Sequence, residues 1–231
     1  MSPKVLLFGA GGALGSAIGT HLAGEGFAVY TAGSTRLDSA IGHLTLPYDD
    51  PCDTASFDSL PLLDAVVWAQ GLNCSDSVAT FDAADLQRLL QGNVLFIASS
   101  LQALVSAGKL NAGSRLAVVS SIWQLESRPG KFSYTVSKAA LQGLVKSAAL
   151  DLGPRGILIN AVLPGVVDTP MTRSHLSAEQ IAEITSQTAL GRLPEPTDIA
   201  SAVGFLVSPA NRAMTSQFLT VDGGFIGLKH A

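Results

Sequence analysis

The chain has 231 residues, 47% hydrophobic and 14% charged, with a formal net charge of −4. This is too apolar for a disordered chain, and the scattered basic residues form no surface for a polyphosphate, which excludes nucleic acid as a main partner. The length suits one α/β domain spanning 1–231, and no unbroken apolar run reaches the roughly 18 residues that cross a bilayer.

Met1-Ser2-Pro3-Lys4 leads straight into a short apolar strand, without the longer apolar core of a signal peptide. The protein is therefore expected in the cytoplasm, with no membrane partner. Cys52 and Cys74 lack a CxxC context and are expected as thiols; the four histidines lack ligand spacing, so no metal is expected.

In chain order, Val5-Leu6-Leu7-Phe8 reads as a buried strand closed by Gly9, and residues 15–23 read as a helix ended by Gly24 and Gly26. Strands follow at 27–31, 44–46 and 65–68, then helices at 82–90 and 94–107. A fifth strand is expected at 115–120, a long helix at 134–152 and a sixth strand at 157–162. Helices at 178–186 and 197–207 precede a last strand at 217–221. Between the second and third strands there is room only for a stunted helix around 37–41. Strands alternating with helices imply right-handed crossovers and a doubly wound parallel sheet.

Gly9-Ala10-Gly11-Gly12-Ala13-Leu14-Gly15 joins the first strand to the first helix. Glycines there permit a tight turn and close approach of a pyrophosphate to free N–H groups at the helix N-terminus. The spacing is G-x-x-G-x-x-G at Gly9, Gly12 and Gly15, because Leu14 stands where the last glycine of GxGxxG would be. Further on, Tyr134 and Lys138 lie four residues apart on one face of the long helix. A free phenol titrates near pH 10, and a nearby ammonium lowers that value, so the pair suits general acid–base work. Ser121 follows the fifth strand at the sheet edge where such folds bind ligands, and its hydroxyl can meet a substrate oxygen.

These features, with Asn160-Ala161-Val162-Leu163-Pro164-Gly165, Thr169-Pro170-Met171 and Val221-Asp222-Gly223-Gly224, stand in the order and spacing of the short-chain dehydrogenases/reductases, which the chain resembles from Val5 to Gly224. The nearest resemblance is to the 3-oxoacyl carrier-protein reductase-like group. It implies a Rossmann fold with Tyr134 as acid/base, Lys138 lowering its pKa and holding the nicotinamide ribose, Ser121 orienting the substrate oxygen and Asn93 completing a proton relay. It also implies cofactor contacts from Gly9, Gly12, Ala13, Leu14, Gly15, Gly71, Thr169 and the backbone of Val167, with Asp49 on the adenine and Asp50 competing for that role. Two departures stand out. Phe8 and Ala13 replace a threonine and a glycine of the usual turn, whose spacing here resembles the extended branch of the family. Trp68-Ala69-Gln70-Gly71 replaces Asn-Asn-Ala-Gly.

The second strand runs into Ala32-Gly33-Ser34-Thr35-Arg36, with Gly33 where an NAD-selecting acid would stand. Ser34, Thr35 and Arg36 offer hydroxyls and a fork for a 2′-phosphate, so NADP (NADPH) is expected, with NAD as runner-up. The substrate is expected to be a small-molecule ketone or secondary alcohol. A lid is expected over 171–190, with Arg173 either meeting an anionic substrate or standing in solvent. Small residues at Ala139, Ala140, Gly143 and Ser147 suit close helix contact, and with the family's usual pairing they imply a homotetramer, or else a dimer. Two other functions remain open: a non-catalytic dinucleotide-binding or scaffold protein, and an isomerase or dehydratase using the same Tyr/Lys pair.

Overall fold

Val5 and Leu7 turn to one side of the first strand and Leu6 and Phe8 to the other, and all four are fully buried. A strand covered on both faces belongs inside a parallel sheet. The computed structural model, which describes residues 2–48 and 52–227, places it third in a seven-stranded sheet. The strands are β1 (Lys4–Phe8), β2 (Ala28–Gly33), β3 (Gly42–Thr45), β4 (Leu63–Trp68), β5 (Leu110–Val119), β6 (Leu158–Pro164) and β7 (Phe218–Val221). They run parallel throughout in the order β3-β2-β1-β4-β5-β6-β7.

Helices α1 (Ala13–Gly24) and α7 (Pro196–Val207) cover one face through Ile18, Leu22, Ile199 and Val203. Helices α3 (Phe96–Ser106) and α4 (Phe132–Leu152) cover the other through Phe96, Leu104, Leu141 and Val145. This is the doubly wound Rossmann arrangement expected from the sequence. The order in which strands are added reverses between β1 and β4, and in such folds this opens a crevice at the carboxyl ends of those strands.

Three local expectations are corrected. No helix forms at 37–41; the eight residues 34–41 make an irregular segment with a turn closed by Ala40 N–H to Leu37 O. That segment must return the chain from Gly33 to the level of Tyr30 on the next strand, and a helix rising about 1.5 Å per residue leaves too little chain for its own entry and exit. Leu37 instead lays its side chain on Gly19 of α1. The helices expected at 82–90 and 94–107 are continuous: α2 (Ala83–Leu90) passes through a π turn (Gln91–Leu95) into α3. The fifth strand begins at Leu110, pairing with Leu63 before a register shift near Gly113, whose φ is 77°.

The run Ala83–Ser106 is long and apolar enough to cross a membrane, yet half of its most apolar stretch is buried in the fold. Leu89, Phe96, Ile97 and Leu104 are fully or almost fully buried, which makes this a core helix.

One residue from each family departure, Phe8 and Trp68, meets the other in the core. Phe8 and Trp68 are partners in the β1–β4 register and stack with centroids 5.8 Å apart and rings 3° from parallel. Trp68 Nε1 donates to Ser100 Oγ of α3 at 2.9 Å. This bond ties the fourth strand to a helix without the missing asparagines.

Candidate active site

The glycine turn is shaped by close approaches. Gly9 has φ 79°, and a Cβ there would collide with the backbone of Ala69 and Gln70. A Cβ on Gly15 would collide with Gly9 O. A Cβ on Gly11 would come within 2.7 Å of the Thr35 side chain. Gly12 differs: its Cβ would meet only Gly9 O, at 3.7 Å, so packing does not require a glycine there. Gly12 is also the N-cap of α1 and offers no side-chain cap. Ser16 N–H is bonded to Gly12 O, which leaves the N–H groups of Ala13, Leu14 and Gly15 ahead of the first intrahelical bond.

Four further segments reach the same edge. Ser121, just past β5, accepts the Trp123 N–H at 3.2 Å and hydrogen-bonds the Tyr134 hydroxyl. Tyr134 lies in the first turn of α4, with Lys138 one turn later and its Nζ 5.7 Å from the Tyr134 ring centroid. Lys138 Nζ donates to Val119 O at 3.3 Å. A Cβ on Gly71 would lie 3.5 Å from Lys138 Nζ and 3.8 Å from Asn93 Oδ1, which places these three residues together. Val167 and Thr169 stand beyond β6: Thr169 Oγ1 caps helix α5 (Pro170–His175) by accepting Thr172 N–H, and Val167 O accepts from Thr172 Oγ1 at 2.6 Å.

Asn93 sits in the π turn and is 1% exposed. Its Oδ1 accepts Leu72 N–H at 2.7 Å, and its Nδ2 donates to Leu72 O at 3.0 Å and Ser137 Oγ at 3.1 Å. The side chain is thus committed to clamping the exit of β4 against α4.

Ser34, Thr35 and Arg36 are exposed beside the turn, but Arg36 Nη2 donates to Ala40 O within its own loop. Asp49 and Asp50 lie outside the described residues. Arg173 forms a bidentate pair with Asp168.

Burial pushes the Tyr134 phenol up to about 12, and the Ser121 hydrogen bond pulls the other way. Burial alone pulls the Lys138 ammonium down to about 8. A phenol in this state keeps its proton, and beside a hydroxyl and a buried amine it can hand that proton to an incoming oxygen.

Four residues escaped sequence reasoning. Tyr48 brings its hydroxyl to the Gly9 backbone and stands 2.5 Å from where a Cβ on Gly33 would be. Gln70 is 6% exposed, and neither of its amide atoms has a partner among the described residues. Asp76 caps α4 from the loop after β4, accepting Ser133 N–H and Oγ–H. Lys131 lies against Tyr134, and its three-residue spacing from that tyrosine was the one available signal.

A cleft of about 430 Å³ opens beside the 122–124 turn that Ser121 begins. Trp123, Glu126 and Arg128 line one side; Leu176, Glu183 and Ile184 from α6 (Ala178–Ser186) and its approach line the other, and Phe225 and Ile226 close the end. A second cleft of about 460 Å³ lies at the β2–β3 edge between Ser34, Leu46, Tyr48, Leu72 and Arg88.

A family model described as Enoyl-(Acyl carrier protein) reductase matches residues 55–226. An uncharacterized oxidoreductase, YmfI, of Bacillus subtilis is 30% identical over 97% of this chain and 99% of its own. A 3-alpha-(or 20-beta)-hydroxysteroid dehydrogenase of Mycobacterium bovis is 35% identical over 67% of this chain and 57% of its own. Among solved structures, a blue fluorescent protein from a metagenomic library in complex with NADPH superposes with a TM-score of 0.87, at 26% identity over 97% of this chain and 98% of that one. The matched span 55–226 includes Ser121, Tyr134 and Lys138, and the chain belongs to the short-chain dehydrogenase/reductase family.

Proposed function

We propose that the protein moves a hydride between NADP(H) and the carbon of a ketone or secondary alcohol, with Tyr134 exchanging the proton at the substrate oxygen. The observation that carries this reading is the Ser121–Tyr134 hydrogen bond beside Lys138. Family membership supports nicotinamide-dependent oxidoreduction of alcohols and ketones. The hydroxysteroid dehydrogenase is named for such a reaction.

The glycine turn fits a dinucleotide. Among the described residues no contact requires a glycine at Gly12, which stands at an uncapped helix N-terminus, and Gln70, whose buried amide has no partner among them, meets the turn through its backbone. Gly9, Gly12, Ala13, Leu14 and Gly15 would hold the pyrophosphate, Lys138 the nicotinamide ribose, Gly71 the neighbouring backbone approach, and Val167 and Thr169 the carboxamide. The bound nicotinamide supplies or accepts the hydride. Ser121 donates to the substrate oxygen and fixes it near Tyr134. In reduction the Tyr134 O–H bond breaks as its proton passes to the oxygen that gains negative charge, and solvent returns a proton to the phenolate. In oxidation the phenolate takes the alcohol proton.

The NADP preference rests on the absence of a carboxylate at the end of β2 more than on Arg36. Gly33 leaves a 2′-phosphate unopposed, and Ser34 and Thr35 offer exposed hydroxyls there. The NADPH complex of a 26% identical relative agrees with this assignment.

Tyr134→Phe keeps the ring and removes the transferable proton. Turnover is expected to fall by roughly two to four orders of magnitude with little change in NADPH affinity. Near-normal turnover in the variant would overturn the mechanism.

A further inference from the structure

Lys131 is a buried lysine that the mechanism above leaves without a task. It is 8% exposed, and its Nζ donates to Asn73 Oδ1 at 2.9 Å and to Cys74 O at 3.4 Å. No carboxylate lies within ion-pair distance of it among the described residues. It also occupies the N-cap position of α4, where the helix dipole opposes a cation. Burial first, and then the nearby Arg128, disfavour its charged form, and the opposing pull of Cys74 and Asp76 does not offset them. A cation placed against so many costs marks a functional site more readily than a stabilising contact.

What it faces is the acid/base. Lys131 Nζ lies 5.4 Å from the Tyr134 ring centroid, slightly nearer than Lys138 Nζ at 5.7 Å. Ring faces attract cations at such distances. The other charged groups around the pair are Lys138 on the same helix, Asp76 in the loop after β4, and Arg128 before α4; Glu126 and Glu183 line the adjoining cleft.

Resting on the assignment of Tyr134 as proton carrier, we propose that Lys131 is a positioning residue and a second cation of the site, held by Asn73 so that its charge favours the phenolate of Tyr134 during proton transfer. Lys138 then divides its work between the cofactor and Tyr134, while Lys131 acts on the phenol alone.

The test is the pH profile of kcat for alcohol oxidation, in which Tyr134 must be ionised to act. Removing a positive charge from beside the phenol raises the pH at which the phenolate forms. In Lys131→Gln the midpoint of the rising limb is expected to move up by about one pH unit, with activity returning at high pH. Lys131→Arg is expected to restore the wild-type midpoint. Asn73→Leu, which keeps the lysine but removes its acceptor, is expected to shift the midpoint in the same direction by less. This second variant decides the matter if Lys131→Gln fails to fold. A midpoint unchanged in both Lys131→Gln and Asn73→Leu, or one that Lys131→Arg does not restore, overturns the proposal. Tyr134→Phe is measured alongside: full activity there overturns the mechanism itself, whereas its loss with unmoved midpoints overturns the role of Lys131 alone.

Discussion

Tyr48 reaches from beyond β3 to the turn after β1, a contact across strands that no spacing in the sequence signals, unlike the local spacing of Tyr134 and Lys138. Its hydroxyl, beside the Gly9 backbone and 2.5 Å from a notional Gly33 Cβ, stands in the space an acid at residue 33 would claim. Burial raises the Tyr48 phenol, so it stays neutral where a carboxylate would carry charge. A neutral group does not repel a 2′-phosphate, so the proposed NADP preference would rest on the pair Gly33/Tyr48. Gly33→Asp, made together with Tyr48→Phe to clear the space, should lower kcat/KM for NADPH at least about tenfold relative to NADH. The backbone strain of an aspartate at φ 132° affects both cofactors alike, so the ratio isolates the charge. An unmoved ratio, or a wild-type protein that uses NADH as well as NADPH, contradicts the assignment.

Among the elements, the strands and the long helix could be read from their periodicity, but the π turn could not. Residues 91–95 carry no pattern that separates a π turn from a gap between helices. The cause is tertiary: the widened turn brings Asn93 to Leu72 and Ser137 at once. The residue was identified through resemblance as a relay member; its geometry makes it first a clamp between β4 and α4. Asn93→Leu keeps the volume but strips Leu72 N–H and O of their partner. A loss of about 2–4 kcal/mol is expected in urea unfolding, the cost of leaving such groups unsatisfied. A loss below about 1 kcal/mol would show that the clamp is replaceable. The Phe8–Trp68 stack gives the complementary lesson. Both substitutions were visible as departures, yet only their shared register on adjacent strands shows that the two side chains meet.

For the whole molecule, the outer face of α4 carries the assembly prediction. Ala139, Ala140, Gly143 and Ser147 are exposed, none of the described residues packs on Gly143, and Leu150 and Val136 are 79% and 40% exposed on the same helix. These small residues therefore do not serve packing within the subunit, and a helix surface so shaped suits a second copy. A homotetramer is expected by light scattering at micromolar concentration, with a dimer as the intermediate species; a monomer contradicts this.

The central claim is hydride transfer coupled to protonation by Tyr134. Its most direct test follows NADPH absorbance while the protein is offered a panel of ketones, quinones and thioester-linked 3-oxoacids, with the alcohol product quantified in parallel. The account predicts that at least one carbonyl consumes NADPH in equal amount to the alcohol formed, and that Tyr134→Phe abolishes this while still binding NADPH. Tight NADPH binding with no carbonyl reduced, or catalysis of a substrate with no net change in the cofactor, would contradict it.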